Sequence, residues 1–319
     1  MFIKNKKIIL CIVLLVGKNV YAKDSFLQNV SLTYENDSVL QSDRYYTNGI
    51  QFSFLSKNYN DSKNNSSGNG NLFYNYSFGF GQKIFTSSDI EDPQPRLDDR
   101  PYAGYLYFYA NKNFFYEDYV NLFGFSIGLT GKGSLAEATQ KKIHELIGSP
   151  KPRGWDTQLK NELLFMFTYS NLKELYRMNL QNKKFNIISR FTTDLGTPYT
   201  DIKQYFEFRF GNDVFSDFSF NRIDTSTIGM LNRDTTFSYY YFTSVGANVV
   251  FYNTFLDGNL NDRRTEIDKK PIIYDINFGV NLTFNKFYIK CLTSFIGKEF
   301  KTQTKDGQVL FTITGGILF

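Results

Sequence analysis

The sequence predicts an all-β fold: a twelve-stranded antiparallel transmembrane β-barrel carrying one short extracellular-side helix. Three observations predict it. Apolar and polar residues alternate with period two over twelve segments, several of ten to twelve residues. Globular strands run to about five or six residues, whereas a tilted strand needs about nine to eleven to cross a bilayer. The strand number is even, and the chain closes on a strand that ends in Phe319, both features of barrels that leave no backbone group unpaired in lipid. With 34 Phe and 23 Tyr in 319 residues, the chain is too rich in aromatic residues to be disordered. A bundle of membrane helices is excluded as well. The longest apolar run, residues 8–16, has nine residues, and a spanning helix needs about 18 or more.

The first 22 residues read as a secretory signal peptide. Lys4, Lys6 and Lys7 form the positive start, residues 8–16 the apolar core, and Val20, Tyr21 and Ala22 a cleavage site. Its removal takes away four Lys and no acid, lowering the net charge from +5 to +1. The basic character of the full chain therefore gives no argument for nucleic-acid binding. Cys11 lies in the signal, so Cys291 remains alone in the mature chain, residues 23–319, and cannot form an internal disulfide.

The strands follow in order. Val30, Leu32 and Tyr34 alternate with Ser31, Thr33 and Glu35; Ile50, Phe52 and Phe54 alternate with Gln51 and Ser53. Leu72, Tyr74, Tyr76, Phe78 and Phe80 form one face of the third strand. The pattern recurs near 102–112, 119–130, 158–170, 184–193, 203–211, 239–251, 272–283, 287–295 and 308–319. In the last strand Phe311, Ile313, Ile317 and Phe319 share a face, which resembles the assembly signal of bacterial outer-membrane barrels.

One segment breaks the period. Ser134-Leu135-Ala136-Glu137 predicts a capping box, residues 136–147 a helix, and Gly148-Ser149-Pro150 its stop. Leu135, Ala138, Ile143 and Ile147 are expected to dock it. With both termini in the periplasm, connections after odd strands share the outer rim. Residues 35–46, 85–101 and 131–156, rich in charged and turn residues, then meet on the extracellular side. Residues 57–71 make a long polar periplasmic connection, which fits less well.

The first rim segment holds Glu35-Asn36-Asp37 and Asp43-Arg44-Tyr45-Tyr46-Thr47-Asn48-Gly49. Such carboxylates and amides can ligate Ca²⁺ or simply build a turn. The second holds Asp98-Asp99-Arg100-Pro101-Tyr102-Ala103-Gly104; Arg100 there can bind a ligand phosphate or fix a loop by an internal ion pair. The third holds His144, the single His of the chain, on one helix face with Gln140. If the protein does histidine acid–base chemistry, His144 is the candidate.

These segments, with Gly154-Trp155-Asp156 and Gln158 after the helix, resemble the LpxR family of lipid A 3′-O-deacylases. The matching motifs lie between residues 35 and 162. The resemblance implies an outer-membrane enzyme that hydrolyses the 3′-linked acyloxyacyl ester of lipid A and depends on Ca²⁺. It implies His144 as general base, with Asn36 and Thr47 as further catalytic positions. Asp37, with Asn36 and Thr47, is the expected metal site; Gln140 and Arg100 are the expected substrate-binding residues. Lipid A in the outer membrane is the expected partner, the chain is expected to be a monomer, and no nucleic acid is involved. Three alternatives stay open: an outer-membrane phospholipase, a porin and an adhesin. The better-known phospholipase barrel places a Ser two residues after its His, where this chain has Leu146.

Overall fold

The computed structural model describes residues 26–37, 44–60, 72–214, 217–219, 222–231, 236–261 and 265–319. The signal peptide and Cys11 lie outside these residues, as does Asp43. Twelve strands form the wall: β1 (Leu27–Asn36), β2 (Tyr45–Ser56), β3 (Phe73–Thr86), β4 (Ala103–Phe115), β5 (Tyr119–Thr130), β6 (Leu163–Leu180), β7 (Lys183–Gly196), β8 (Tyr199–Gly211), β9 (Phe237–Asn253), β10 (Ile272–Phe284), β11 (Phe287–Gly297) and β12 (Gly307–Leu318). Each pairs antiparallel with its sequence neighbours, and β1 pairs with β12 to close the barrel. Closure removes the unpaired edge that an open sheet would present to lipid.

The alternation sorts side chains as a bilayer requires. Phe108, Phe123, Phe167, Tyr241, Tyr274 and Phe278 project outward and are exposed; in water such a belt would aggregate. Stacked pairs across strands, Phe52 with Phe80 and Phe54 with Phe78, reinforce the register from outside. The lumen side is polar and knitted by side-chain bonds: Asn113 to Asn75 at 2.9 Å, Asn111 to Ser77 at 3.1 Å, and the Ser170 and Thr192 hydroxyls at 2.8 Å. Each such bond adds about 1 kcal/mol net, and leaving its partners unpaired would cost more.

The β8–β9 connection starts at the rim where β1 begins, and its residues 217–219 and 222–230 turn back into the lumen. Its described residues form a plug. Arg209 donates to the carbonyl of Asp217 at 2.7 Å, and Lys290 pairs with the Asp217 carboxylate at 2.7 Å. Farther in, Asn111 donates to the carbonyl of Thr225 and Ser77 to that of Thr227; back near the rim where β1 begins, Asn29 donates to that of Met230. Lys203 pairs with Asp224 at 3.1 Å. A cavity of about 140 Å³ lined by both plug and wall residues remains in the lumen.

One helix of three turns, α1 (Ala136–Ile147), and a single turn, α2 (Thr254–Asp257), interrupt the strands. α1 has the predicted bounds but not the predicted start. Leu135 is its N-cap, in the left-handed region at φ 60°. The Ser134 hydroxyl bonds back to the Gly131 carbonyl at 2.6 Å, and Glu137 reaches Lys141 and Gln158. No capping box forms, because the 3-10 turn over Gly131–Ser134 already uses Ser134. The predicted docking face is also corrected. Ala138 is exposed, as are Leu135 (61%) and Ile147 (40%), and only Ile143 is half-buried. Ala136, Gln140 and His144 are the buried face. The sixth strand starts at Leu163 rather than 158, since a 3-10 turn over Gly154–Thr157 and the bond from Leu159 N to Tyr102 O carry the chain across the rim first.

Candidate active site

Three connections from one rim build the site on the outer wall of the barrel. α1 lies against β3 and β4. Gly104 makes the approach possible: a Cβ there would sit 2.0 Å from the Ser134 hydroxyl and 2.2 Å from the Ala136 methyl, so only Gly lets the helix so close. Gln82 donates to the Ser134 carbonyl at 2.7 Å, pinning the start of the helix to β3. At the other end Gly148 takes φ 73°, and Ser149 N bonds to His144 O at 3.0 Å, a helix stop that needs a residue without Cβ strain.

The buried face of α1 repeats every four residues, so Ala136, Gln140 and His144 stand in a row. Ala136 joins Ile84, Tyr102 and Trp155 in one buried cluster. Trp155 meets Tyr102 edge-on at 5.2 Å and donates its indole N–H to Gln140 Oε1 at 2.8 Å. That bond fixes which way the amide faces, because an indole N–H can only donate. Gln140 Nε2 is buried and has no hydrogen-bond partner among the described residues. His144 Nδ1 lies 2.6 Å from the Pro150 carbonyl. A carbonyl can only accept, so the proton sits on Nδ1 and Nε2 becomes the basic nitrogen.

The second part of the site is the rim end of β1 and β2. Asn36 Nδ2 donates to Thr47 O at 3.0 Å, and Arg44 N donates to Asp37 Oδ2 at 3.0 Å. Thr47 occupies a bulge between Tyr46 and Asn48 in the pairing with β3. Its hydroxyl rests on Ile84 O at 3.4 Å. Ile84 thus borders both parts: its carbonyl touches Thr47, and its side chain packs in the cluster that holds Ala136. Asn36, Asp37 and Thr47 form one group and Gln140 and His144 another, on either side of the outer end of β3. Arg100 stands apart. It is buried, its guanidinium pairs with Glu299 at 2.6 Å and lies over the Phe85 ring, and both pairings face the lumen cavity. The pair ties the β3–β4 connection to the β11–β12 connection.

Among the described residues no cluster of three or more His, Cys, Asp or Glu could hold an ion. The Asp37 carboxylate accepts from Arg44 N and, at 3.4 Å, from Gln308 Nε2; with the neighbouring Asn36 amide and Thr47 hydroxyl it offers hard oxygen donors with a single charge. That composition suits Ca²⁺ and is foreign to Zn²⁺.

Two contributors escaped the sequence reading as site parts: Gln82, hidden in a strand alternation, and Gly104, quoted only as part of a motif. An unneeded Gly two residues into a strand is a signal of close approach.

Fold and site together define a membrane-spanning β-barrel whose lumen holds a plug and whose helix bearing His144 is docked on the outside of the wall. The family model described as Outer membrane protein LpxR matches residues 8–313, and the chain belongs to that family. It is therefore an outer-membrane protein. LpxR from Salmonella typhimurium is similar in structure, with a TM-score of 0.76 at 16% identity, covering 91% of this chain and 100% of that one. The β domain of the Bordetella autotransporter BrkA gives a TM-score of 0.42 at 9% identity, covering 92% of this chain and 99% of that one. The translocator domain of the autotransporter NalP from Neisseria meningitidis gives 0.41 at 9%, covering 98% and 95%. A comparison with curated proteins gives no match.

Proposed function

We propose that this protein is a Ca²⁺-dependent lipid A 3′-O-deacylase, a carboxylic ester hydrolase acting in the outer leaflet. The observation that carries the reading is the placement of His144. A histidine held as the Nδ1–H tautomer by a backbone carbonyl lies on a helix face docked to the outside of the wall, where a lipid ester rather than a soluble substrate meets it. Family membership supports the same substrate.

His144 Nε2 takes a proton from water as the water oxygen attacks the carbonyl carbon of the 3′-linked ester. The tetrahedral intermediate collapses, the C–O bond to the sugar breaks, and the histidinium returns the proton to the departing 3′ oxygen. The products are 3′-hydroxy lipid A and the free acyloxyacyl acid. Gln140 Nε2 is the donor available to the carbonyl oxygen as negative charge develops on it. Asp37, Asn36 and Thr47 would hold the Ca²⁺, which when bound supplies polarisation of the ester carbonyl and stabilisation of the oxyanion. Arg100, buried and paired with Glu299 beside the lumen cavity, is on the other side of the wall from this ester and takes no part in the proposed reaction.

The test is mass spectrometry of lipid A incubated with the detergent-folded barrel, with Ca²⁺ and with a chelator. Loss of one 3′-linked acyloxyacyl group, abolished by chelation, is the expected result. Unchanged lipid A across several acyl and phosphate forms, from a barrel shown to be folded, overturns the reading. Release of fatty acid from phospholipid instead would favour the phospholipase. Against that alternative, Leu146 stands where its Ser would be and is 70% exposed, pointing away from the wall.

A further inference from the structure

Glu35 opens the Glu-Asn-Asp motif, yet the mechanism gives it no task. It points into the lumen, while its neighbour Asn36 faces the other way. The carboxylate is fully buried (0% exposed), and four groups converge on it. Tyr46 donates its hydroxyl to Oε2 at 2.7 Å; Ile223 N donates to Oε1 at 2.7 Å; Thr312 donates to Oε1 at 3.1 Å; Arg222 Nε stands 3.9 Å away. Two of these groups, Arg222 and Ile223, belong to the plug. Tyr46 precedes Thr47, and Thr312 is on β12.

The plug therefore runs the length of the lumen. Its Met230 carbonyl meets Asn29, and its Ile223 amide meets Glu35, six residues farther along β1, roughly 20 Å at the rise of a strand. Arg222 also stands 3.9 Å from Asp275 on β10, three strands round the wall from β1, and Gln51 donates to the Asp224 carbonyl at 3.3 Å. A segment that enters from the rim opposite the site thus ends directly behind the strand segment bearing Asn36 and Thr47. A buried carboxylate persists only where such partners satisfy it, so removing either side of the clamp leaves the other strained.

We propose that Glu35 is a positioning residue: through Tyr46, Arg222 and the Ile223 amide it makes the plug the back support of the Asn36–Asp37–Thr47 group. The outer-face site is held in register from inside the barrel, by a connection belonging to the opposite rim. The kinetic part of this proposal rests on the deacylase reading; the structural part does not.

Two variants of the full barrel test it. Glu35→Ala removes the clamp from the wall, and Ile223→Pro removes the amide hydrogen from the plug, leaving the wall intact should Glu35→Ala fail to fold. Glu35→Gln keeps an acceptor, Oε1, for Ile223 N and Thr312, while its Nε2 can donate to the Tyr46 hydroxyl oxygen, and is the conservative control. Hydrogen exchange of residues 35–37 and 44–48 should quicken in the first two and stay near native in Glu35→Gln. Lipid A hydrolysis should fall about tenfold or more in the first two, since small misplacements of catalytic groups are costly, and recover in Glu35→Gln. Native exchange at the rim in a folded Glu35→Ala or Ile223→Pro barrel overturns the clamp. Faster exchange with undiminished hydrolysis overturns the positioning role. Faster exchange in the variants of a native protein that never hydrolyses lipid A keeps the clamp and removes the deacylase.

Discussion

A histidine whose Nδ1–H is committed to the Pro150 carbonyl keeps one tautomer and one ring orientation, which is what a general base needs and a surface histidine lacks. His144→Ala should therefore leave a folded, heat-modifiable barrel whose deacylation falls about 100-fold or more, the span assigned to general acid–base catalysis. Single-turnover hydrolysis of lipid A checks it; a loss under threefold would remove His144 from the reaction. Trp155 poses a subtler question. Its indole bond sets the Gln140 amide so that Oε1 is spent and Nε2 is left to donate. In Trp155→Phe the packing against Tyr102 survives while the amide loses its orienting partner. The turnover number should drop roughly tenfold, the order of a lost oxyanion donor's weaker half, with KM little changed. A rise in KM alone would make Gln140 a ground-state binder instead. The spacing of four made it legible that Gln140 and His144 share a helix face, and the polar runs made it legible that Asn36, Asp37 and Thr47 lie together at strand ends. Their partners were not. Backbone carbonyls such as Pro150 O and Ile84 O have no signature in a sequence.

Elements decide where those residues meet. α1 reaches the wall through Gly104, so Gly104→Val should push the helix off β3 and β4 without touching the hydrogen-bonded ladder. Activity should fall by about 100-fold, as expected when catalytic groups are moved by an ångström or more, while the barrel keeps its thermal midpoint. Circular dichroism melts alongside hydrolysis assays check the separation, and a barrel that melts early would show that the helix supports the wall. The strands and α1 were legible because period two and period 3.6 are distinct. The docking face of α1 was not. Docking was assigned to the apolar residues, as is right for a helix on a water-soluble core. On the outside of a membrane barrel the rule inverts: Leu135 and Leu146 can face lipid, and the polar Gln140 and His144 turn inward to the wall.

For the whole molecule, the plug bears on whether the lumen can conduct, and nothing in its sequence announces it. Residues 212–236 are polar and aperiodic, which describes an exposed loop as well as a lumen filler; only the three-dimensional register of Lys290, Arg209, Lys203 and Asn111 gives them a place. The plug's anchors also set its response to acid. Burial alone would raise the carboxyl of Asp224, but Lys203, then Lys83 and the Ser226 hydrogen bonds, outweigh it and hold the group well below its usual range. Burial is likewise outweighed at Asp217 by Lys290 and Arg209. A carboxylate depressed in the folded state contributes stability that is complete above its unfolded value, about 3.9, and is lost only as the pH falls toward the folded value. The plug should therefore stay seated from neutral pH down to about pH 4.5 and loosen only in stronger acid. In planar bilayers the native barrel should show negligible conductance throughout that window, with openings confined to lower pH. Lys203→Met removes the chief cation beside Asp224 and leaves Lys83 and the Ser226 hydrogen bonds alone against burial, so the carboxylate takes up its proton at a higher pH, and conductance should begin at a higher pH than in the native barrel. Steady conductance of the native protein at pH 7 would mean that the lumen is open in the membrane and would return the pore to consideration. An identical acid threshold in Lys203→Met would show that Asp224 does not hold the plug.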